Sequence, residues 1–262
     1  MIIIQTMNDR ATALPRALET PLHQAARTMP VVVVTGARQT GKSTLVRELT
    51  TDDRLYLTLD DLDVLDQAKH APEDLVARGT RMTLDEVQRA PELLLAVKRA
   101  VDRGKRPKGR FFLTGSANLL LMRTVSETLA GRASYLTLWP LTRREQLGLG
   151  RAGIWDELLA AKDDQWRDVI ASQDIAPEDW TQLARRGGYP TPALELESAA
   201  ERAIWFAGYT KTYLERDLQE ISSVTALPDL RRLMRAAALR LGQIVPSSDA
   251  TLPFRSRRCI AT

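Results

Sequence analysis

The chain has 262 residues, a net charge of +4 and a pI near 9.4, with 37 Lys and Arg against 33 Asp and Glu. That length permits one large domain or a main domain with a smaller one, and a lone Cys259 excludes a disulfide framework or a cysteine metal cluster. The mild positive excess reads as solvated surface, with DNA contact the minor alternative.

His23 and His70 lie near no partner pattern and read as surface or helix residues. No stretch approaches the ~20 apolar residues of a membrane helix, and residues 1–4 are too short and lack a basic start for an export signal. A cytoplasmic chain with no membrane contact is expected.

In chain order, residues 10–29 place Leu14, Leu18, Leu22 and Ala25 at near-helical spacing, with Pro15 and Pro21 opposing the helix. Val31, Val32, Val33 and Val34 predict a buried strand. Directly behind them stands Gly36-Ala37-Arg38-Gln39-Thr40-Gly41-Lys42-Ser43, the pattern G-x-x-x-x-G-K-[ST] of a phosphate-binding loop. Gly36 and Gly41 permit backbone angles and close approach that a side chain would block. The amides of the loop, from Ala37 through Arg38, Gln39, Thr40 and on to Thr44, are expected to form an anion nest continued by a helix N-terminus near Lys42. Lys42 would reach the β- and γ-phosphates of ATP, and Ser43 would set its hydroxyl on Mg²⁺. Four fixed positions also occur by chance. The valine strand before the loop and Leu45-Val46-Arg47-Glu48-Leu49 after it supply the strand, loop and helix setting that the motif needs.

Further strands are expected over residues 55–59, 81–84, 111–113 and 135–138, and helices over 72–77, 91–103 and 118–129. Strands separated by helices of this length predict an α/β domain with a mainly parallel sheet, ending near Gly148. Residues 149–190 are charged, hold Trp155, Trp166 and Trp180, and read as a helical linker or insertion before the turn Gly187-Gly188-Tyr189-Pro190. Residues 191–245 read as the helical start of a C-terminal domain, with helices over 199–220 and 230–241. Residues 246–262 lose periodicity and read as an irregular tail.

Hydrolysis would need a metal-holding carboxylate and a base. Asp85 and Glu86 end the strand at 81–84: Asp85 would hold Mg²⁺, directly or through its water, and Glu86 would polarise the attacking water. Such a pair also suits a plain helix N-terminus. Thr114 and Ser116 end the next strand, where a hydroxyl senses the γ-phosphate or caps a helix. Arg132 stands before the strand at 135–138, a place from which an arginine reaches a phosphate of its own or a neighbouring subunit, although most arginines are surface residues. Arg38, inside the phosphate loop, is placed to face nucleotide or a subunit interface, and the sequence leaves its direction open.

The run 104–110 carries five positive charges; a solvated loop is expected, and nucleic-acid backbone contact is the alternative. A GTPase would need Asn or Thr before Lys-x-Asp, and Ala161-Lys162-Asp163-Asp164 lacks it. The adjacent carboxylates favour water over a metabolite as phosphoryl acceptor.

Taken in order, "VTGARQTGKSTLV", "YLTLDD", "LDEVQRAPELLLAVKRAVD", "FFLTGSANLLL", "LAGRASYLTLWPLTRRE", "GGYP" and "YTKTYLERDLQEI" resemble the AAA+-superfamily ATP-binding proteins of bacteria and archaea that carry a C-terminal domain of unknown function. The resemblance covers residues 18–244. It implies a P-loop core with an extra strand between the phosphate-loop strand and the Asp85-Glu86 strand, nucleotide and metal on Lys42 and Ser43, hydrolysis by Asp85 and Glu86, and a sensor at Ser116. It also implies that residues 213–217 lead into a winged-helix and then a nuclease-like segment. After Ile244 the chain departs from that pattern, so a truncated or frame-shifted C-terminus is expected. The expected function is MgATP hydrolysis to ADP and phosphate driving a conformational change; the alternative is a nucleotide-gated switch with little hydrolysis. A homo-oligomer or a protein partner would accompany an arginine acting across subunits.

Overall fold

A computed structural model describes residues 14–103, 107–116, 127–150, 154–172, 178–214 and 227–239. The four valines do form the start of a strand, β1 (Val31–Gly36), buried along its whole length. It lies in a five-stranded parallel sheet with β2 (Arg54–Thr58), β3 (Arg81–Asp85), β4 (Phe111–Ser116) and β5 (Ala133–Thr137), in the order β2-β3-β4-β1-β5. β4 therefore occupies the place of the extra strand, between β1 and β3.

Period-two alternation splits the strand residues between two cores. Val31, Val33, Leu84, Phe111 and Leu113 face one side, where α3 (Leu62–His70), α4 (Pro72–Ala77) and α5 (Leu93–Asp102) contribute Ala68, Leu75, Val76, Leu93, Leu94 and Val97. Val32, Val34 and Phe112 face the other, against Leu22 of α1 (Glu19–Thr28) and Leu45 and Val46 of α2 (Lys42–Glu48). Covered on both faces, the central strands β1 and β4 begin as apolar runs rather than alternating ones.

The topology also sets where a ligand can sit. The chain leaves β1 toward β2 on one side of the sheet and leaves β4 toward β5 on the other, so the neighbours β1 and β4 form the switch point where a crevice opens at the strand C-termini.

Two local expectations are corrected. Among the described residues the first helix begins at Glu19, so the expected helix over 10–29 does not run through: residues 14–18 are non-helical, with the Arg16 side chain turned inward to fixed partners, while Pro21 falls in the first turn, where its missing N–H costs no helix bond. α3 was not expected at all. It is started by Asp61, whose carboxylate accepts from the amides of Asp63 at 2.9 Å and Val64 at 3.3 Å.

Beyond the sheet come α6 (Arg143–Gln146), α7 (Trp155–Ala160), α8 (Trp166–Ala171), α9 (Trp180–Arg186) and α10 (Ala199–Tyr209), with single π turns at Thr191–Glu195 and Thr210–Leu214. The chain divides into two units, Met1–Tyr213 and Leu214–Thr262; the second holds α11 (Leu227–Leu239). Most of the helix expected over 118–129, the end of that over 199–220, and the tail from 246 lie outside the described residues.

Candidate functional site

The phosphate-loop sequence leaves β1 and enters α2 at the switch point. Gly36 has φ 151°, and a Cβ built there would stand 2.3 Å from the Leu138 carbonyl oxygen, so only glycine passes. Gly41, at φ 91°, is the N-cap of α2. Thr40 is fully buried and donates to the Ala37 carbonyl at 2.9 Å, closing the loop on itself.

Lys42 is buried as well, its ammonium donating to the carbonyls of Gly36 at 3.2 Å and Ala37 at 2.9 Å. Burial draws its pKa below the ordinary value, with Glu86 and Asp85 pulling the other way and Arg38 adding to the depression. Arg38, Gln39, Gly41, Lys42, Ser43, Thr44 and Glu86 line a cavity of about 270 Å³. The structure thus brings together most of the expected nucleotide residues and the expected base.

Asp85 closes β3 and is buried, with its carboxylate accepting from the Tyr56 hydroxyl at 2.6 Å and from the Thr114 hydroxyl. Burial and this carboxylate push the Tyr56 hydroxyl up to about 12, so it remains a donor. Glu86 follows in the left-handed region, φ 61° and ψ 43°, costly for a residue with a Cβ. Its amide donates to the Thr114 hydroxyl at 3.3 Å, and Gln88 donates to its carboxylate. Thr114 therefore links the two carboxylate-bearing residues. Ser116 ends β4 in register with Gly36 and is buried beside the loop.

Arg16 and Glu145 were missed in the sequence. The Arg16 guanidinium donates to the Thr40 carbonyl at 2.9 Å, the Trp139 carbonyl at 2.8 Å and the Glu145 carboxylate at 2.9 Å. Burial alone would raise the Glu145 pKa, but the amides of Thr142 and Ala17 together with Arg16 outweigh it and leave the carboxylate below its ordinary value. The available signal was Thr142-Arg143-Arg144-Glu145, a capping box that starts α6.

A second, larger cavity of about 420 Å³ adjoins the first and shares Gln39, Gly41 and Thr44 with it. Its other walls are mainly apolar: Leu14, Leu45, Leu141, Pro190, Leu194 and Trp205, with Arg16, Glu48 and Thr191. The turn at Gly187-Gly188 is pinned to this region, the Leu141 amide donating to the Gly188 carbonyl at 2.6 Å.

Arg132 is elsewhere. Its carbonyl accepts from the amide of Val31, the first residue of β1, so it lies at the end of the sheet opposite the phosphate loop. Its guanidinium is engaged by Asp102 at 2.7 and 2.8 Å. The expectation that it serves a phosphate of its own subunit is corrected: parallel strands put everything that precedes a strand at the far edge.

A family model described as an AAA domain matches residues 28–147, and one described as a domain of unknown function (DUF8612) matches residues 177–251. Uncharacterized proteins of Mycobacterium bovis and Mycobacterium tuberculosis are each 32% identical over 243 residues, 92% of this chain and 46% of theirs. The chain spans about half the length of these curated relatives. Among solved structures, a Walker-type ATPase of Pyrococcus abyssi is similar over 88% of this chain and 79% of its own, at 14% identity and a TM-score of 0.39. The Aeropyrum pernix Orc1 protein in complex with DNA is similar over 92% and 72%, at 15% identity and a TM-score of 0.41. The matched AAA model lies over the strand, loop and helix around Lys42, so residues 28–147 form an AAA-type domain with a P-loop.

Proposed function

We propose that this chain binds MgATP and hydrolyses it to ADP and phosphate, with the helical region after the sheet responding to the nucleotide. The observation that carries the reading is the pair of cavities with a common wall: a polar one at the loop amides, holding Lys42 and Glu86, and an apolar one of nucleoside size beside it.

In this reading the β- and γ-phosphates lie on the loop amides from Ala37 to Thr44, with Lys42 turning from the carbonyls of Gly36 and Ala37 to the phosphate oxygens. The adenine base occupies the apolar cavity, against Leu45, Leu141 and Trp205. Ser43 and Asp85 supply oxygen donors, the type Mg²⁺ prefers when it keeps several waters and takes one or two protein ligands. Bound there, Mg²⁺ would neutralise charge on the phosphates. Asp85 does not line the phosphate cavity and would act through water.

Glu86 would accept the proton of a water whose oxygen attacks the γ-phosphorus as the bond to ADP breaks. Its fixed backbone, held by Thr114, orients the carboxylate toward the cavity it lines. Ser116 and Arg38 stand ready to respond to the γ-phosphate. Glu86→Gln is expected to bind ATP with unchanged affinity by calorimetry and to release no phosphate; turnover at the parent rate rejects the assignment.

One observation favours a second reading, a switch that binds ATP or ADP and hydrolyses little: Gln88 already engages the Glu86 carboxylate. Radiolabelled ATP that stays intact on the protein through a single-turnover assay, while exchange remains fast, would select it. An assembly through which another subunit's arginine acts would appear as a change of mass in solution on adding ATP.

A further inference from the structure

We infer that the strand ends opposite the phosphate loop carry a second anion site, which takes the phosphate backbone of a nucleic acid. Five basic side chains from four elements converge there on a cavity of about 180 Å³: His23 and Arg27 of α1, Arg54 at the start of β2, Arg81 at the start of β3, and Lys108 just before β4. The strands are parallel, so this cavity and the phosphate loop lie at opposite ends of the sheet and the inference stands apart from the ATPase reading.

The cluster is short of negative charge. Arg54 is buried, and among the described residues its guanidinium donates only to carbonyls, those of Met82 at 2.9 Å, Arg110 at 3.4 Å and Gly109 at 2.5 Å, while stacking 3.9 Å over the Phe112 ring. Carbonyl dipoles satisfy its protons without cancelling its charge. Burial first, and the charge of Arg81 second, bring its pKa down to about 10, with Asp53 acting in the opposite sense. Asp53 pairs with Arg81 at 3.4 Å, and Glu19 stands 4.0 Å from the His23 ring. Against these two exposed carboxylates, Arg27 and Lys108 add further exposed positive charge at the rim. A phosphate seated among them relieves the mutual repulsion that burial has concentrated on Arg54.

A polyanion suits the layout better than a small ion. The exposed cations sit on separate elements around an open rim, so one phosphate enters while its neighbours run over Arg27, Arg81 and Lys108. Lys108 belongs to the basic run 104–110, of which residues 104–106 lie outside the described residues. Phe112 in the cavity is covered by Arg54 and offers no platform for a base, and the remaining lining is dominated by cations, so binding is to backbone and largely indifferent to sequence.

The test is fluorescence anisotropy of the purified chain with a labelled random-sequence DNA duplex at several salt concentrations. Binding is expected, and Arg27→Glu with Lys108→Glu is expected to weaken it about tenfold or more, with an unchanged melting temperature because both side chains are exposed. Arg27→Gln with Lys108→Gln should lower the slope of log affinity against log salt by about 2. The same charge change at Lys162 and Arg167, and Lys42→Ala at the phosphate loop, should leave duplex binding in place. Absence of binding at low salt, an equal loss in the Lys162 and Arg167 control, or loss in Lys42→Ala would each overturn the inference. So would displacement of the duplex by inorganic phosphate at equal concentration, which would mark a small-ion site.

Discussion

The hydroxyl of Tyr209, at the end of α10, donates to the backbone carbonyl of Arg38 in the phosphate loop at 3.2 Å. Around it, Trp205 stacks on the Tyr209 ring at 5.1 Å and Tyr189 lies 4.8 Å from it, while Trp205 also walls the apolar cavity. A helix far along the chain is thereby fastened to the loop that would hold phosphate, and the same aromatic group touches the space proposed for the base.

Tyr209→Phe keeps the ring packing and removes one hydrogen bond, a net effect of about 1 kcal/mol. Nucleotide affinity by calorimetry should shift severalfold, and the melting temperature without nucleotide should fall by about 2 to 4 °C. In Trp205→Phe, the nucleotide-induced change of tryptophan fluorescence should be lost.

The buried Arg16 and Glu145 pair holds the segment before α1 to the phosphate loop and to α6. Glu145→Gln leaves the Arg16 charge buried without its counter-charge, and a loss of about 3 kcal/mol in urea unfolding is expected. The pH dependence follows from the lowered pKa of Glu145. Between its folded value and its ordinary value of 4.5 the unfolded chain binds more protons, so this contribution is complete above that ordinary value and fades as pH falls through the folded one. The stability gap between parent and variant should therefore narrow below that point.

Gly36→Ala forces a Cβ toward the Leu138 carbonyl at a backbone angle that alanine rarely takes. A loss of about 1 to 3 kcal/mol is expected, in line with strain at a special backbone angle, together with loss of ATP binding. Thermal unfolding and calorimetry on the same preparation separate the two effects.

The sheet could be read from the sequence because its signals are local. Four consecutive valines, a glycine-framed loop with Lys42 and strands ending in Asp85 or Ser116 each declare themselves within a few residues. α3 escaped because its apolar positions are diluted by Asp63, Asp66 and Lys69, and only its Asp61 cap marks it.

The neighbours of the loop could not be read in the same way. Arg16 meets Glu145 across 129 positions and Tyr209 meets Arg38 across 171, distances at which no periodicity or spacing survives. Arg132 illustrates the converse. Its place just before a strand looked suitable, yet strand direction and sheet order send it to the far edge, beside Asp102. Local patterning thus specified the phosphate loop and the strands that present it, since backbone geometry and burial act residue by residue. Which side chains close around that loop, and which basic residues gather at the other end, depended on how the parallel strands are ordered, since only packing brings distant segments within reach of one charge or one hydrogen bond.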